Sequence, residues 1–167
     1  GERSRDELLE PERAEEILEY LSTYQYASMD HVVIALLWET GMRIGTAHSI
    51  DVQDVDVKRE SVQLKHRPDQ DTTLKNGNSG ERLIAITTEL ATLIEDYVEA
   101  NRDAVTDEFG RDPLFTTAQG RMHRNSIRRT VYRVTSPCYI DNECPGCKQD
   151  DDKKCPDAVN PHAIRRG

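Results

Sequence analysis

Residues 32–38 are the feature that most constrains the fold of this chain. Seven consecutive apolar residues leave almost no polar face on a helix, and such a helix belongs in a core. Ser28 or Asp30 caps its start, so the predicted helix spans residues 31–39, with His31 on the surface of its first turn. The sequence therefore predicts a domain built around one buried helix.

A single arginine follows this helix where glycine allows the chain to turn. Gly41 breaks the helix, and Arg43 stands where the next helix would begin. Free backbone N–H groups at that start and the planar guanidinium would converge on one place, which suits a phosphate. On these residues alone, a solvated helix cap is the alternative interpretation.

Other basic groups with the chemistry of phosphate handling lie farther along the chain. His162 and Arg165 are three residues apart and share one face of a helical turn. Lys75 lies in a glycine-containing turn, residues 74–82, before the strand-like residues 83–86. Together with Arg43, these residues form the candidate catalytic set.

The order Thr40-Gly41-Met42-Arg43, hairpin Lys75 and His162-Ala163-Ile164-Arg165 resembles the catalytic domain of the tyrosine recombinases, the phage integrase family. The resemblance covers about residues 30–167. It implies an α+β, mainly helical fold with a small three-stranded antiparallel sheet. It also implies site-specific DNA breakage and rejoining through a covalent 3′-phosphotyrosyl intermediate, with no catalytic cofactor.

The chemistry of a phosphodiester assigns roles within this set. Arg43 and Arg165 would stabilise the charge that develops on the non-bridging oxygens. Lys75 would protonate the leaving sugar oxygen as general acid, and His162 would orient the phosphate or manage the nucleophile's proton. Lys65 is the alternative general acid, since it precedes the same long connection.

The resemblance has departures as well as matches. Thr46 stands where the family usually carries an acidic residue, which loosens the expected support of Arg43. In the family the nucleophilic tyrosine follows the second arginine, whereas no tyrosine follows Arg165 here. We therefore expect residues 1–167 to be a catalytic-domain fragment that lacks the amino-terminal DNA-clamping domain and the nucleophile segment, and to be inactive alone.

Polar and apolar periodicity predicts the remaining elements. Helices are expected at residues 12–24, 88–102 and 125–135, and a short one from Arg43 to His48. Residues 51–57, 61–66 and 82–86 read as the strands of an antiparallel meander. The long polar connection 67–80 is typical of a loop that works outside a sheet, and residues 107–120 are predicted to be a loop with a small apolar peg.

The charge balance is unusual for a DNA enzyme. The net charge is −9, with 16 Arg, 6 Lys, 16 Asp and 15 Glu, although DNA affinity comes largely from basic side chains. An acidic, lysine-poor chain that keeps its arginines is typical of proteins adapted to a salty cytoplasm, so we expect a halophilic archaeon as the source. The competing interpretation, a protein that never touches nucleic acid, conflicts with the basic residues 121–133.

The basic segment is expected to form a helix with a charged outer face. That face is either simply solvated or in contact with DNA phosphates. The candidate DNA-binding residues are Arg124, Arg128, Arg129 and Arg133.

All four cysteines lie within residues 138–155, in a segment with little apolar content. A Cys-Pro-Gly-Cys turn lets two thiolates approach one metal, and four soft ligands suit tetrahedral zinc. Structural disulfides and a redox Cys-x-x-Cys pair are the alternatives. We expect a zinc-binding insertion with a structural zinc held by Cys138, Cys144, Cys147 and Cys155.

Partners and location follow from the same residues. We expect double-stranded DNA as partner, a homo-oligomer when assembled on DNA, no membrane and a cytoplasmic location, because no long apolar run or apolar leader is present. Two other functions remain open. One is a non-catalytic DNA-binding module of the same fold, and the other is a zinc-dependent interaction module.

Overall fold

The structure, a computed structural model, describes residues 10–140. The helices are α1 (Pro11–Tyr24), α2 (Met29–Thr40), α3 (Ile44–Ser49), α4 (Thr88–Ala100), α5 (Arg124–Thr135) and α6 (Pro137–Ile140). The strands are β1 (Val55–Asp56), β2 (Ser61–Leu64), β3 (Arg82–Ala85), β4 (Thr116–Thr117) and β5 (Gly120–Arg121).

Helix α2 is the centre of the core, as its apolar sequence predicts. The Ser28 hydroxyl caps it by accepting from the His31 backbone N–H at 3.1 Å, and Gly41 ends it in the left-handed conformation at φ 68°. Helices α1, α3, α4 and α5 all pack against it. Its most buried side chains are Val32, Val33, Ile34, Leu36 and Leu37.

His31 is buried, whereas the sequence predicts it on the surface of the first turn. The side chain is 5% exposed. Its Nδ1 accepts a hydrogen bond from the Ala27 backbone N–H at 3.2 Å, so the imidazole satisfies the turn before α2. Burial lowers the pKa of His31, which favours the neutral ring that this bond requires.

The three-stranded antiparallel sheet is confirmed, in the order β1-β2-β3. Ser61 lies opposite Ala85, and Leu64 lies opposite Arg82. The first strand is shorter than the predicted 51–57, because residues Val52–Asp54 form a 3₁₀ turn. The reason is chemical, since Asp51 and Asp54 turn inward to bind arginines instead of alternating along a strand.

The second half of the chain adds elements that periodicity did not indicate. Residues 107–120 were expected to be a loop, but β4 and β5 form a two-stranded hairpin there. The apolar peg is confirmed, because Leu114 and Phe115 are buried. Helix α4 begins at Thr88 as expected and ends two residues before the predicted bound, and the Thr87 hydroxyl caps it by accepting from the Leu90 N–H at 3.2 Å.

Candidate functional site

Arg43 lies at the start of α3, where the sequence places a phosphate-binding arginine. Its backbone is extended, and its carbonyl oxygen accepts from the N–H groups of Thr46 and Ala47, both at 3.0 Å. The side chain is half-buried, and its guanidinium makes no hydrogen bond or ion pair with residues 10–140. A half-buried guanidinium that has no partner within the described part of the chain is available to bind an anion.

A shallow pocket opens beside this arginine. It encloses about 360 Å³, including space that is open to solvent. Arg43 and Lys75 both line it, so the structure brings these two predicted catalytic residues together, whereas Lys65 is not among the lining residues. The full lining is Gly41, Met42, Arg43, Thr46, Leu64, Leu74, Lys75, Asn76, Gly80 and Arg82.

Lys75 belongs to the connection between β2 and β3, residues 65–81, which we call the lysine loop. The Lys75 side chain is exposed and makes no hydrogen bond or ion pair within the described part of the chain. Its neighbour Leu74 is 6% exposed and packs into the core. Burial of Leu74 therefore fixes the base of the turn that carries the lysine.

Three arginines tie the lysine loop to the rest of the domain. Arg67 binds the Asp54 carboxylate with both terminal nitrogens, at 2.9 and 3.3 Å. Arg111 donates to the Thr72 hydroxyl at 2.7 Å, and Arg124 donates to the Thr73 hydroxyl at 3.3 Å. The loop lies outside the sheet, and these bonds hold it against the Val52–Asp54 turn, α5 and the loop before β4.

Asp51 lies at the centre of this arrangement and is fully buried. Its carboxylate accepts from Arg111 Nε at 2.7 Å and from Arg121 Nη2, and Arg67 Nη1 lies 3.7 Å away. Burial alone would lower the pKa of Arg67, but its hydrogen bonds to Asp54 and the nearby carboxylates raise it. The result is a buried ion network of six charged side chains, namely Asp51, Asp54, Arg67, Arg111, Arg121 and Asp107.

Arg121 belongs to this network and not to a DNA-facing surface, which corrects the view of residues 121–133 as one basic patch. The side chain is 9% exposed. It binds Asp51, Asp107 and the backbone oxygen of His48, the last at 2.8 Å. Burial would raise the pKa of Asp107, but backbone N–H groups of Arg111 and Phe109, together with Arg121, outweigh it and lower the pKa.

The four candidate DNA-binding arginines on α5 differ in their surroundings. Arg128 and Arg129 are exposed on the outer face of the helix. Arg124 is half-buried, with its Nε 3.5 Å from the position that a Cβ on Gly45 would take. Arg133 binds Asp30 with both terminal nitrogens at 2.8 Å, a bond that raises its pKa. The predicted outward face is present, and its two ends also make internal contacts.

His48, at the end of α3, adds an unusual group near this surface. Its Nδ1 is buried and has no hydrogen-bond partner among residues 10–140. Burial, and then the positive charges of Arg124 and Arg121, lower its pKa from the ordinary 6.5 to about 4. The ring is therefore neutral at physiological pH.

Several predicted site residues lie outside the described residues. These are His162, Arg165, Cys144, Cys147 and Cys155. Within residues 10–140, no group of three His, Cys, Asp or Glu side chains is arranged to hold a metal ion. Cys138 lies in α6, and its thiol is 3.4 Å from the Ser136 hydroxyl oxygen. The zinc prediction thus stays a prediction.

The sequence did not predict the ion network, because its charged residues give only a weak signal. Asp51, Arg67 and Arg111 come from segments that read as a strand end, a polar loop and a second loop. Charged residues in such segments are usually solvated, and nothing in their spacing brings them together.

Across residues 10–140, no helix is long and apolar enough to cross a bilayer.

Comparison with known proteins agrees with this architecture. The sequence model of the phage integrase family matches residues 7–167. The tyrosine recombinase XerC of Corynebacterium glutamicum is 26% identical over 119 residues, which make up 70% of this chain and 34% of that protein. XerC of Corynebacterium efficiens is 29% identical over 117 residues, again 70% of this chain and 34% of that protein.

Solved structures share the fold at low identity. The Tn1549 transposon integrase in complex with a circular intermediate DNA has a TM-score of 0.68 at 19% identity, covering 96% of this chain and 51% of that one. The XerA recombinase has a TM-score of 0.64 at 19% identity, covering 96% and 48%. The chain thus spans about a third of its matched relatives and half of these structures. With the family model matched over nearly the whole chain, the chain belongs to the phage integrase family, the tyrosine recombinases.

Proposed function

We propose that this chain is the catalytic part of a site-specific DNA recombinase that breaks and rejoins DNA strands. One observation carries the proposal, namely that Arg43 and Lys75 line the same pocket and neither side chain has a partner within residues 10–140. A non-catalytic DNA-binding module would need no such pair beside a pocket. His162 and Arg165 are proposed to complete the site.

The proposed reaction is a transfer of the phosphodiester to a tyrosine. The tyrosine oxygen attacks phosphorus while the bond to the 5′-oxygen breaks. Lys75 gives its proton to that oxygen, and Arg43 and Arg165 stabilise the charge on the non-bridging oxygens. The protein–DNA bond keeps the phosphate activated, so the 5′-hydroxyl of another strand can attack it and rejoin the DNA.

We propose that the nucleophile is not one of the six tyrosines of this sequence. None of them lines the pocket of Arg43 and Lys75. Tyr97 is buried, and its hydroxyl donates to the Leu114 oxygen at 2.8 Å. Its pKa is raised by burial to about 12, which disfavours the phenolate that attacks phosphorus. Tyr139 donates to Gln25 at 2.6 Å.

The test uses the full-length protein and a nicked suicide substrate that traps the covalent adduct. Replacing Arg43 or Arg165 by Ala should lower the cleavage rate on the order of a thousandfold, since each leaves developing charge unpaired. Lys75→Ala should also lose activity, but should regain it on a substrate whose leaving 5′-oxygen is replaced by sulfur. A thiolate departs without a proton, so this rescue is specific to a general acid.

Two other lysines provide controls. Lys58 is exposed in the β1–β2 turn, and Lys58→Ala should leave the cleavage rate unchanged on both substrates. Lys65→Ala tests the alternative acid, and a sulfur rescue of Lys65→Ala in place of Lys75→Ala would transfer the role to Lys65. Equal rescue of Arg43→Ala would refute the general-acid assignment, and an adduct formed by residues 1–167 alone would refute the placement of the nucleophile.

We propose double-stranded DNA as the partner, with α5 presenting Arg124, Arg128, Arg129 and Arg133 towards the phosphates and several copies assembling on the site. Arg128, Arg129 and Arg133 are exposed, and of these Arg133 is paired with Asp30. Their charges contrast with the acidic remainder of the chain, which restricts favourable contact with DNA to few surfaces.

We also propose a cytoplasm of high salt as the working environment. The exposed faces of two helices carry rows of carboxylates, namely Glu12, Glu15, Glu16 and Glu19 on α1 and Glu89, Glu95 and Glu99 on α4. Like charges at this density repel one another unless salt screens them. Raising KCl from about 0.2 to 2 M should therefore raise the unfolding temperature, and an unchanged or lower temperature would contradict the proposal.

A further inference from the structure

His66 lies near the start of the lysine loop and bonds the loop at two later positions, once through its side chain and once through its backbone. Its Nδ1 accepts a hydrogen bond from the Leu74 backbone N–H at 2.9 Å. Its own backbone N–H donates to Glu81 Oε1 at 3.1 Å. One residue therefore bonds the loop at the position before Lys75 and again at the start of β3.

The imidazole also lies against the turn that carries the lysine. The Gly77 N–H donates to the Leu74 oxygen at 3.0 Å, which closes a turn over residues 74–77. A Cβ on Gly77 would lie 3.9 Å from His66 Nε2, so the ring lies near the far side of the same turn. With Nδ1 as acceptor, the ring proton of neutral His66 is on Nε2.

Lys75 has no side-chain bond of its own within the described residues, so the turn alone determines where its ammonium lies. The hydrogen bonds through which Arg67 and Thr72 hold the lysine loop lie several residues before Lys75 in the sequence. On the amino-terminal side of Lys75, the Leu74 peptide is the nearest anchored group, and His66 holds its N–H while burial holds its side chain. On the other side, the Asn76 oxygen accepts from the Ser79 hydroxyl at 2.6 Å.

We infer that His66 is a positioning residue for the general acid, fixing the 74–77 turn so that Lys75 faces the pocket of Arg43. The inference rests on the role proposed for Lys75. His66 itself lines no part of the pocket, so its effect passes through the turn and not through contact with DNA. A misplaced general acid loses part of the hundredfold or larger effect that proton transfer supplies.

The test compares two polar replacements of similar character in the full-length protein. Asparagine carries an acceptor oxygen at the same number of bonds from Cα as His66 Nδ1, whereas the glutamine oxygen lies one bond farther out. On the oxygen substrate, His66→Asn should cleave within about threefold of the parent, and His66→Gln should be slower by about tenfold or more. On the sulfur substrate, both should match the parent within about twofold.

The outcomes separate the inference from the role on which it rests. If Lys75→Ala is not rescued by sulfur, the general-acid role fails. If Lys75→Ala is rescued but His66→Gln is slow on both substrates, His66 acts in folding or DNA binding and the positioning role is overturned. Equal rates of His66→Asn and His66→Gln on the oxygen substrate would overturn it as well.

Discussion

Replacing Asp51 by asparagine keeps the shape of the side chain but removes the charge around which the buried ion network is built. Arg121 retains Asp107, and Arg67 retains both oxygens of Asp54. Arg111, 7% exposed, loses its carboxylate partner and keeps only neutral acceptors, among them the Thr72 hydroxyl and the Ser49 oxygen. One uncompensated buried cation results.

Breaking a buried pair by removing one partner costs about 3–5 kcal/mol. Because two of the three arginines keep a carboxylate, we expect Asp51→Asn to fall at the lower end, about 3 kcal/mol. In urea, with a slope of about 2 kcal/mol per molar, the unfolding midpoint should fall by about 1.5 M. The slope should stay unchanged, since the surface exposed on unfolding is the same.

The measurement is urea unfolding followed by circular dichroism, at one fixed salt concentration. Asp69→Asn is the matched control, because Asp69 is exposed and the same substitution there should change the free energy by less than about 0.5 kcal/mol. If Asp51→Asn lowers the free energy of unfolding by less than about 1 kcal/mol, with an unchanged slope, then the fold does not depend on the charge of Asp51.

Three further predictions concern His48, the arginines of α5 and the four cysteines. The His48 pKa is lowered, so its contribution to stability is present above pH 6.5 and is lost as pH falls towards about 4. His48→Gln should flatten this part of the pH–stability curve, and an unaltered curve would contradict the burial of the ring. Arg129→Ala should weaken DNA binding and reduce its salt dependence more than Arg133→Ala, because Arg133 is paired with Asp30. Equal losses in a binding titration would show that this ion pair opens on DNA. Chelator-washed protein should retain one zinc bound by Cys138, Cys144, Cys147 and Cys155, and less than about half an equivalent by elemental analysis would exclude the site.

The helical part of the fold could be predicted because packing imposes a period on the sequence. The apolar residues of α1, α2, α4 and α5 face the core, and all four helices lie within two residues of their predicted bounds. Short strands give weaker signals. Residues 51–57 alternate as a strand would, but the carboxylates of Asp51 and Asp54, three residues apart, belong to an inward ion network and not to a solvated sheet face.

The positions of two candidate site residues could be predicted from the sequence, and their catalytic roles stay predictions. Arg43 and Lys75 could be chosen because a glycine break and a glycine-rich turn place them, and the structure brings both to one pocket. The contacts of His66, Thr72 and Arg111 could not be predicted, because they join residues up to 62 positions apart that share no periodic pattern. Such partners are set by tertiary packing of loops.

The arginine ties of the lysine loop have a consequence for how this surface opens. The Thr72 and Leu74 amides bond to Arg67 O at 3.1 Å and to His66 Nδ1 at 2.9 Å, in a segment whose side chains enter the core. Freeing them requires Arg67 to leave Asp54 and the buried side chains of Thr72 and Leu74 to leave their contacts. The hydrogen exchange of these two amides should therefore give an opening free energy close to that of global unfolding. If the loop were a hinged lid, the same amides would exchange rapidly.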